Sequence, residues 1–284
     1  MKIQHTFFHL KLLAGRRAVF RGKSFVLWSH LGLGDTISIF PAIEALVDSG
    51  KTVYLPTKSR NVRFVSDLVS PLEGVVVFEI QDDPNFELEA IREFADRSAV
   101  PILYAGHLLF GFLSRIKTGL GINGLLNFMA GHQAPLVSEK LKMHLLGNTV
   151  VQNKPENYVF VDHHPGTPRE IPIGILEELN PEYLLINNDF NWSISELAVH
   201  MNGAKELHLV SSAPLCLALT ADLAFGGKRV RYRIGDSYPL RADYPPDWLE
   251  VSLTEEGPKV VSRNLEASVP LIGRIVMFCA RLQR

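Results

Sequence analysis

"VLWSHLGLGDTISIFPAIEAL" (residues 26–46) reads as a buried strand, a glycine-rich turn and an amphipathic helix. Nucleotide-binding α/β domains often open this way, with the ligand's phosphate at the start of the helix. This stretch departs from that pattern. Gly32 and Gly34 are followed by Ile37 where a dinucleotide fingerprint requires its third glycine. The second strand ends in Pro56 and Thr57, without the acid that would clamp a ribose. Asp35 already supplies a negative charge at the helix mouth and would repel an approaching pyrophosphate.

Working outward, β-rich runs alternate with helical patterns. "FVLWSH" (25–30), "TVYLP" (52–56), "GVVVFEI" (74–80) and "VPILYA" (100–105) are predicted strands. Helices are predicted over 36–48, 61–69 and 86–97. Near-continuous apolar strands separated by helices imply a parallel sheet covered on both faces. From Gly106 to Val151 the texture changes to Gly, Leu and Phe without a convincing strand, which reads as helices and loops before a linker around "NTVVQNKPEN". Alternation then restarts with strands over 157–164, 182–188, 206–212 and 229–235. A helix over 193–203 ends at a glycine C-cap, and another opens at Pro214. An amphipathic helix over 270–282 closes the chain.

The expected fold is α/β, with two Rossmann-like, doubly wound domains facing a cleft. The expected domains are 1–150, 151–265 and a C-terminal helix, 266–284, packing back on the first. Ligands in such sheets bind beyond the carboxyl ends of the strands, so the functional residues should lie on the loops that follow them.

Composition bounds the partners. Among 284 residues, Lys plus Arg (29) nearly balance Asp plus Glu (30), which disfavours nucleic acid as a partner. Cys216 and Cys279 provide neither a disulfide framework nor a metal knuckle, so a reducing, cytoplasmic setting is expected. No uninterrupted apolar run reaches the ~18 residues that cross a bilayer. The first 34 residues carry six Lys or Arg and no acid, interleaved with Phe and Leu. Such a segment suits an anionic membrane surface at the inner face, or else a packed helix with a solvated basic face.

Asp35, at the lip of a cleft beside glycines that admit a ligand to the backbone, is placed to act as a general base on a hydroxyl. The competing reading is plain helix capping. "GLGDTISIFPAIEAL" resembles the N-terminal signature of GT-B glycosyltransferases of the heptosyltransferase type, glycosyltransferase family 9. The matching residues are Gly32, Gly34, Asp35, Pro41, Ala42 and Leu46. The resemblance implies that Asp35 deprotonates the acceptor hydroxyl.

A second resemblance lies in "ISELAVHMNGAKELHLVSSAPLCLALTADL" (194–223), which is similar to the family's donor-side segment. Pro214, Leu217 and Ala218 agree with the Pro, Leu and Ala of that pattern. Its Asp, Thr, Gly and His are replaced by Ser211, Ser212, Ala213 and Cys216.

No D-x-D metal motif occurs, so the leaving diphosphate needs cations and a helix start instead. Ser211 and Ser212, ahead of Pro214, form a candidate diphosphate cradle; an ordinary serine cap is the alternative. Arg169, beside Gly166, is the candidate cationic ligand. His163 and His164 are expected to touch the donor. Strand alternation argues against Asp162, His163 and His164 meeting on one metal ion, and no metal or other cofactor is expected. Asn188 is a candidate for the base or ribose. Lys58 and Arg60 are candidates for an anionic acceptor.

Together these expectations describe a metal-independent inverting glycosyltransferase moving a sugar from a nucleotide-sugar donor to a glycan or glycolipid acceptor. The setting would be lipopolysaccharide or glycan biosynthesis, with peripheral membrane contact. The alternatives are a non-catalytic, sugar-nucleotide-binding relative of the GT-B fold and a sugar-nucleotide epimerase.

Overall fold

A computed structural model describes residues 22–28, 32–83, 86–104, 137–147, 155–164, 170–171, 173–179, 182–189, 191–210, 212–224, 227–234, 248–254 and 257–261. The chain divides into two compact α/β units, the second running Val137–Ser268.

The first unit is built on β1 (Ser24–Trp28), β2 (Thr52–Lys58), β3 (Val75–Ile80) and β4 (Ile102–Tyr104). All pair in parallel, in the order β3-β2-β1-β4. That order is the first part of a doubly wound sheet, with its topological switch between β1 and β4. β1 is buried from Phe25 to Trp28, as a central strand covered on both faces must be. Truncating Leu27 to Ala would cost about 2–5 kcal/mol. One face is covered by α4 (Glu87–Arg97), whose Ile91 and Ala95 pack with Val26, Trp28 and Ile80. Phe94 of the same helix stacks on Phe78 with ring centroids 3.8 Å apart.

The helix predicted over 36–48 is two helices, α1 (Leu33–Ser38) and α2 (Phe40–Asp48). Pro41 has no N–H for the Ile37 carbonyl, so the ladder stops and restarts at Ile39. Thr36 and Ser38 add to the break by donating their hydroxyls to the carbonyls of Gly32 and Gly34, at 3.1 and 2.9 Å. After β2 a single 3₁₀ turn (Ser59–Asn61) leads into α3 (Val62–Val69).

The second unit contains β5 (Tyr158–Val161), β6 (Leu184–Asn187), β7 (Glu206–Leu209), β8 (Lys228–Ile234), β9 (Trp248–Thr254) and β10 (Gly257–Val261). The sheet order is β10-β9-β8-β7-β5-β6, parallel except for β10. In order of occurrence the parallel strands run 2-1-3-4-5, the other common doubly wound arrangement. Its switch point lies between β5 and β7. The two sheets therefore differ in strand order. The β9–β10 hairpin was not expected from the sequence.

α5 (Glu139–Gly147) belongs to this unit, ahead of the boundary read from sequence at residue 150. It packs on α7 (Ile194–Asn202) and is anchored by Ser138 N–H to the Thr220 carbonyl (2.8 Å) and Lys142 Nζ to the Asp222 carbonyl (3.1 Å). α7 starts at a capping box: Ser193 Oγ accepts from Glu196 N–H (3.2 Å) and Glu196 Oε2 accepts from Ser193 N–H (2.7 Å). Its C-cap is Gly203, but at φ −93° that glycine uses none of its left-handed freedom. α6 (Ile173–Leu179) follows β5, and α8 (Ala213–Thr220) follows β7.

A polar chain runs through the strands. His208 Nδ1 lies 2.8 Å from the Tyr232 hydroxyl, and its Nε2 lies 2.9 Å from Glu206 Oε2, which also pairs with Lys228 at 2.9 Å. Burial pushes the His208 imidazole below its ordinary pKa, and the His208 hydrogen bond holds the Glu206 carboxyl low. Burial also raises the Tyr158 phenol to about 12.

Candidate functional site

Both switch points carry a carboxylate beyond the strand, Asp35 in the first turn of the helix after β1 and Asp162 directly after β5. In the first unit, α1 is entered through Gly32, whose extended backbone (φ −76°, ψ 145°) makes it the N-cap with no side-chain cap hydrogen bond. Asp35 is the third helical residue, not the cap, so the capping expectation does not hold in its simple form. Its charge faces the positive helix end. A Cβ at Gly32 would stand 2.7 Å from Asp35 Oδ2. The carboxylate thus folds back over the bare glycine, partly exposed and without hydrogen bond or ion pair among the described residues.

Lys58 and Arg60 lie at and beyond the end of β2, on the same sheet edge. Lys58 Nζ contacts Glu87 Oε1 at 2.6 Å and Asp82 Oδ1 at 3.4 Å, while Arg60 Nε contacts Asp82 Oδ2 at 3.1 Å. Two cations are balanced by two carboxylates, so this loop is not the free basic patch its sequence suggests. The hydrogen bond that Lys58 donates to Glu87 raises its pKa and keeps the ammonium charged.

In the second unit Asp162 directly follows β5 and is completely buried. Asn188 Nδ2, after β6, donates to Asp162 Oδ1 at 3.2 Å. His164 Nε2 lies 3.0 Å from the same oxygen. Ser212, the residue before α8, donates its hydroxyl to Asp162 Oδ2. Backbone bonds fix the frame: Asp162 N–H to the His208 carbonyl at 2.9 Å and Asn188 N–H to the Val161 carbonyl at 3.0 Å. One aspartate therefore gathers three of the residues singled out in the sequence, His164, Asn188 and Ser212, at the carboxyl ends of β5, β6 and β7.

His163 stands beside them with its Nδ1 buried and unpartnered among the described residues. Pro214 is at the second position of α8, where its missing N–H removes one anion-binding donor. Arg169, Ser211 and the helix predicted over 270–282 lie outside the described residues, as does the basic N-terminal segment.

Sequence reasoning assigned Asp162 no role of its own. The available signal was an acid directly closing an apolar strand run, "YVFVD", where a buried charge needs partners. Among the described residues no three His, Cys, Asp or Glu side chains converge as a metal site, and no helix is long and apolar enough to cross a membrane.

No protein-family model matches the chain, and no curated protein matches it by sequence. Among solved structures it is similar to a glycosyl transferase family 9 protein from Veillonella parvula DSM 2008. The TM-score is 0.51 over 91% of this chain and 96% of that one, at 13% sequence identity. At that identity the likeness establishes a shared fold.

Proposed function

We propose that the chain is a glycosyltransferase of GT-B type, inverting and metal-independent, with the acceptor on the first unit and a nucleotide-sugar donor on the second. The observation that carries this reading is Asp35. It is a partly exposed carboxylate with no partner among the described residues, held at the switch point of an α/β sheet beside an open glycine. The shared fold with a family 9 glycosyl transferase supports the same assignment.

In this mechanism Asp35 accepts the proton of the acceptor hydroxyl as its oxygen attacks the anomeric carbon. The nucleoside diphosphate leaves from the opposite face, which inverts the configuration. Gly32 and Gly34 let the acceptor approach the backbone. The donor lies across the ends of β5, β6 and β7, with His163, His164, Asn188, Ser211, Ser212 and Pro214 around it and Arg169 facing the diphosphate. Because Lys58 and Arg60 are held by Asp82 and Glu87, the acceptor's reactive end is read as a neutral glycan hydroxyl rather than a phosphate. The 266–284 segment returning to the first unit, and the basic N-terminus resting on an anionic glycolipid surface at the inner face, complete the proposal.

The test is product analysis with a panel of nucleotide sugars and glycan acceptors. Free nucleoside diphosphate together with a glycosylated acceptor, lost in Asp35→Asn while donor affinity is retained, is the expected result. Full turnover in that variant would remove Asp35 from the chemistry. Nucleotide-sugar binding without transfer in the wild type would favour the non-catalytic reading.

A further inference from the structure

The direction of the hydrogen bonds around Ser212 carries information about the ligand. Among the described residues two groups approach its Oγ: a carboxylate oxygen of Asp162 and the Val210 carbonyl at 3.1 Å. Both are acceptors only. The hydroxyl has one proton, and it is committed to the protein whichever of the two receives it. Turning that proton toward a phosphate would strip a donor from a completely buried carboxylate, which is costly.

Ser212, partly exposed, therefore presents lone pairs to a ligand. Asn188 has one amide hydrogen on Asp162 and retains its carbonyl oxygen as an acceptor. Among the described residues no lysine or arginine pairs with Asp162; its contacts there are Ser212, Asn188, His164 and backbone. Asp162 places a buried carboxylate there, and Pro214 thins the N–H donors of α8. A phosphate would meet lone pairs and a buried negative charge there; a ligand hydroxyl would find acceptors. The expectation that Ser212 cradles the diphosphate does not fit this arrangement.

We infer that the Asp162–Ser212–Asn188 cluster at the β5/β7 switch point is a hydroxyl-reading subsite, taking a ribose or sugar hydroxyl of the ligand and excluding its phosphates. Asp162 acts there as a positioning residue, holding the Ser212 hydroxyl so that it accepts. This rests on the reading of this sheet edge as a donor site and narrows it, leaving the diphosphate to groups elsewhere.

The experiment is calorimetric titration of the full chain as wild type, Asp162→Asn and Ser212→Ala. The probes are inorganic pyrophosphate, the four ribonucleosides, and their nucleoside diphosphate sugars. Expected is a loss of about tenfold in nucleotide-sugar affinity in both variants, corresponding to one lost hydrogen bond. Pyrophosphate should be unaffected by Ser212→Ala and bind more tightly to Asp162→Asn, because an asparagine amide frees the serine proton and removes the charge. That opposite sign separates positioning from mere structural support, which would weaken every probe together.

A parallel loss with the ribonucleosides assigns the hydroxyl to ribose; a loss confined to the nucleotide sugars assigns it to the transferred sugar. A drop in pyrophosphate affinity in Ser212→Ala, or unchanged nucleotide-sugar affinity in both variants, overturns the subsite and leaves the donor site standing. Wild type that binds no nucleotide sugar and no nucleoside overturns both.

Discussion

The carboxylates at the two switch points are held in opposite ways. Asp35 lies over a glycine, half open, with nothing among the described residues to neutralise or tether it. Asp162 is fully buried and accepts from Asn188 and Ser212, with His164 alongside. A carboxylate without partners retains its lone pairs for a proton that a ligand delivers. One surrounded by donors has spent them on the protein, and its influence reaches a ligand only through the groups it orients. In the proposed mechanism the carboxylate of the first unit serves chemistry, while that of the second is tied into its surroundings.

The comparison breaks most severely at Asp35. Asp35→Asn should lower kcat about 10²–10⁴-fold, the range for a lost general base, with little change in melting temperature. Gly32→Ala sharpens the point without touching the carboxylate chemically. The new methyl occupies the space of Oδ2, displaces the carboxylate and should lower kcat about 10²-fold, while the allowed backbone at φ −76° leaves stability nearly unchanged. Steady-state kinetics beside thermal melts would check both.

Asp162→Ala should show the reverse balance. Leaving the Asn188 and Ser212 donors unanswered should destabilise the second unit by about 3 kcal/mol, read by urea unfolding through the fluorescence of Trp192 and Trp248. If this variant melts like wild type, Asp162 is not the tie that its contacts describe.

Smaller is the effect of pH. His208 and Glu206 both have folded-state pKa values below their unfolded ones, so the unfolded chain binds more protons on acidification. Their stabilisation is present near neutrality and is lost as pH falls, His208 first, below about 6.5, and Glu206 below about 4.5. His208→Gln should flatten the upper part of that fall. The least effect is expected from Lys58→Met, about 1 kcal/mol or less, with unchanged acceptor KM.

Much of this was legible in the sequence because strands buried on both faces must be apolar. β1 and β5 are recognisable as central from "FVLW" and "YVFV" alone. Asp35 stood out because a charge at a glycine turn contradicts a phosphate site. What was not legible depends on pairing in space. The continuous apolar pattern over 36–48 concealed the break at Ile39, since Pro41 is also compatible with a helix start. "WLEVSLT" joins the sheet at β8 and its following hairpin strand at the edge, although nothing local in it announces a parallel partner. Lys58 and Arg60 looked like a free basic loop because the acids that hold them, Asp82 and Glu87, come from the far side of β3. The hydrogen bonding of Ser212 was not legible, because sequence shows that a hydroxyl exists and not which way its proton points.

The unequal strand orders also bear on ancestry. Superposing the switch points lays β1 on β5, β2 on β6 and β4 on β7. β3 then has no counterpart among the described residues, because β6 leads through the single helix α7 straight into β7. If the halves arose by copying one ancestral segment, a whole strand-and-helix unit was gained or lost afterwards. The two aspartates stand at different offsets, Asp35 in the first turn of α1 and Asp162 directly after β5, so each would have arisen separately.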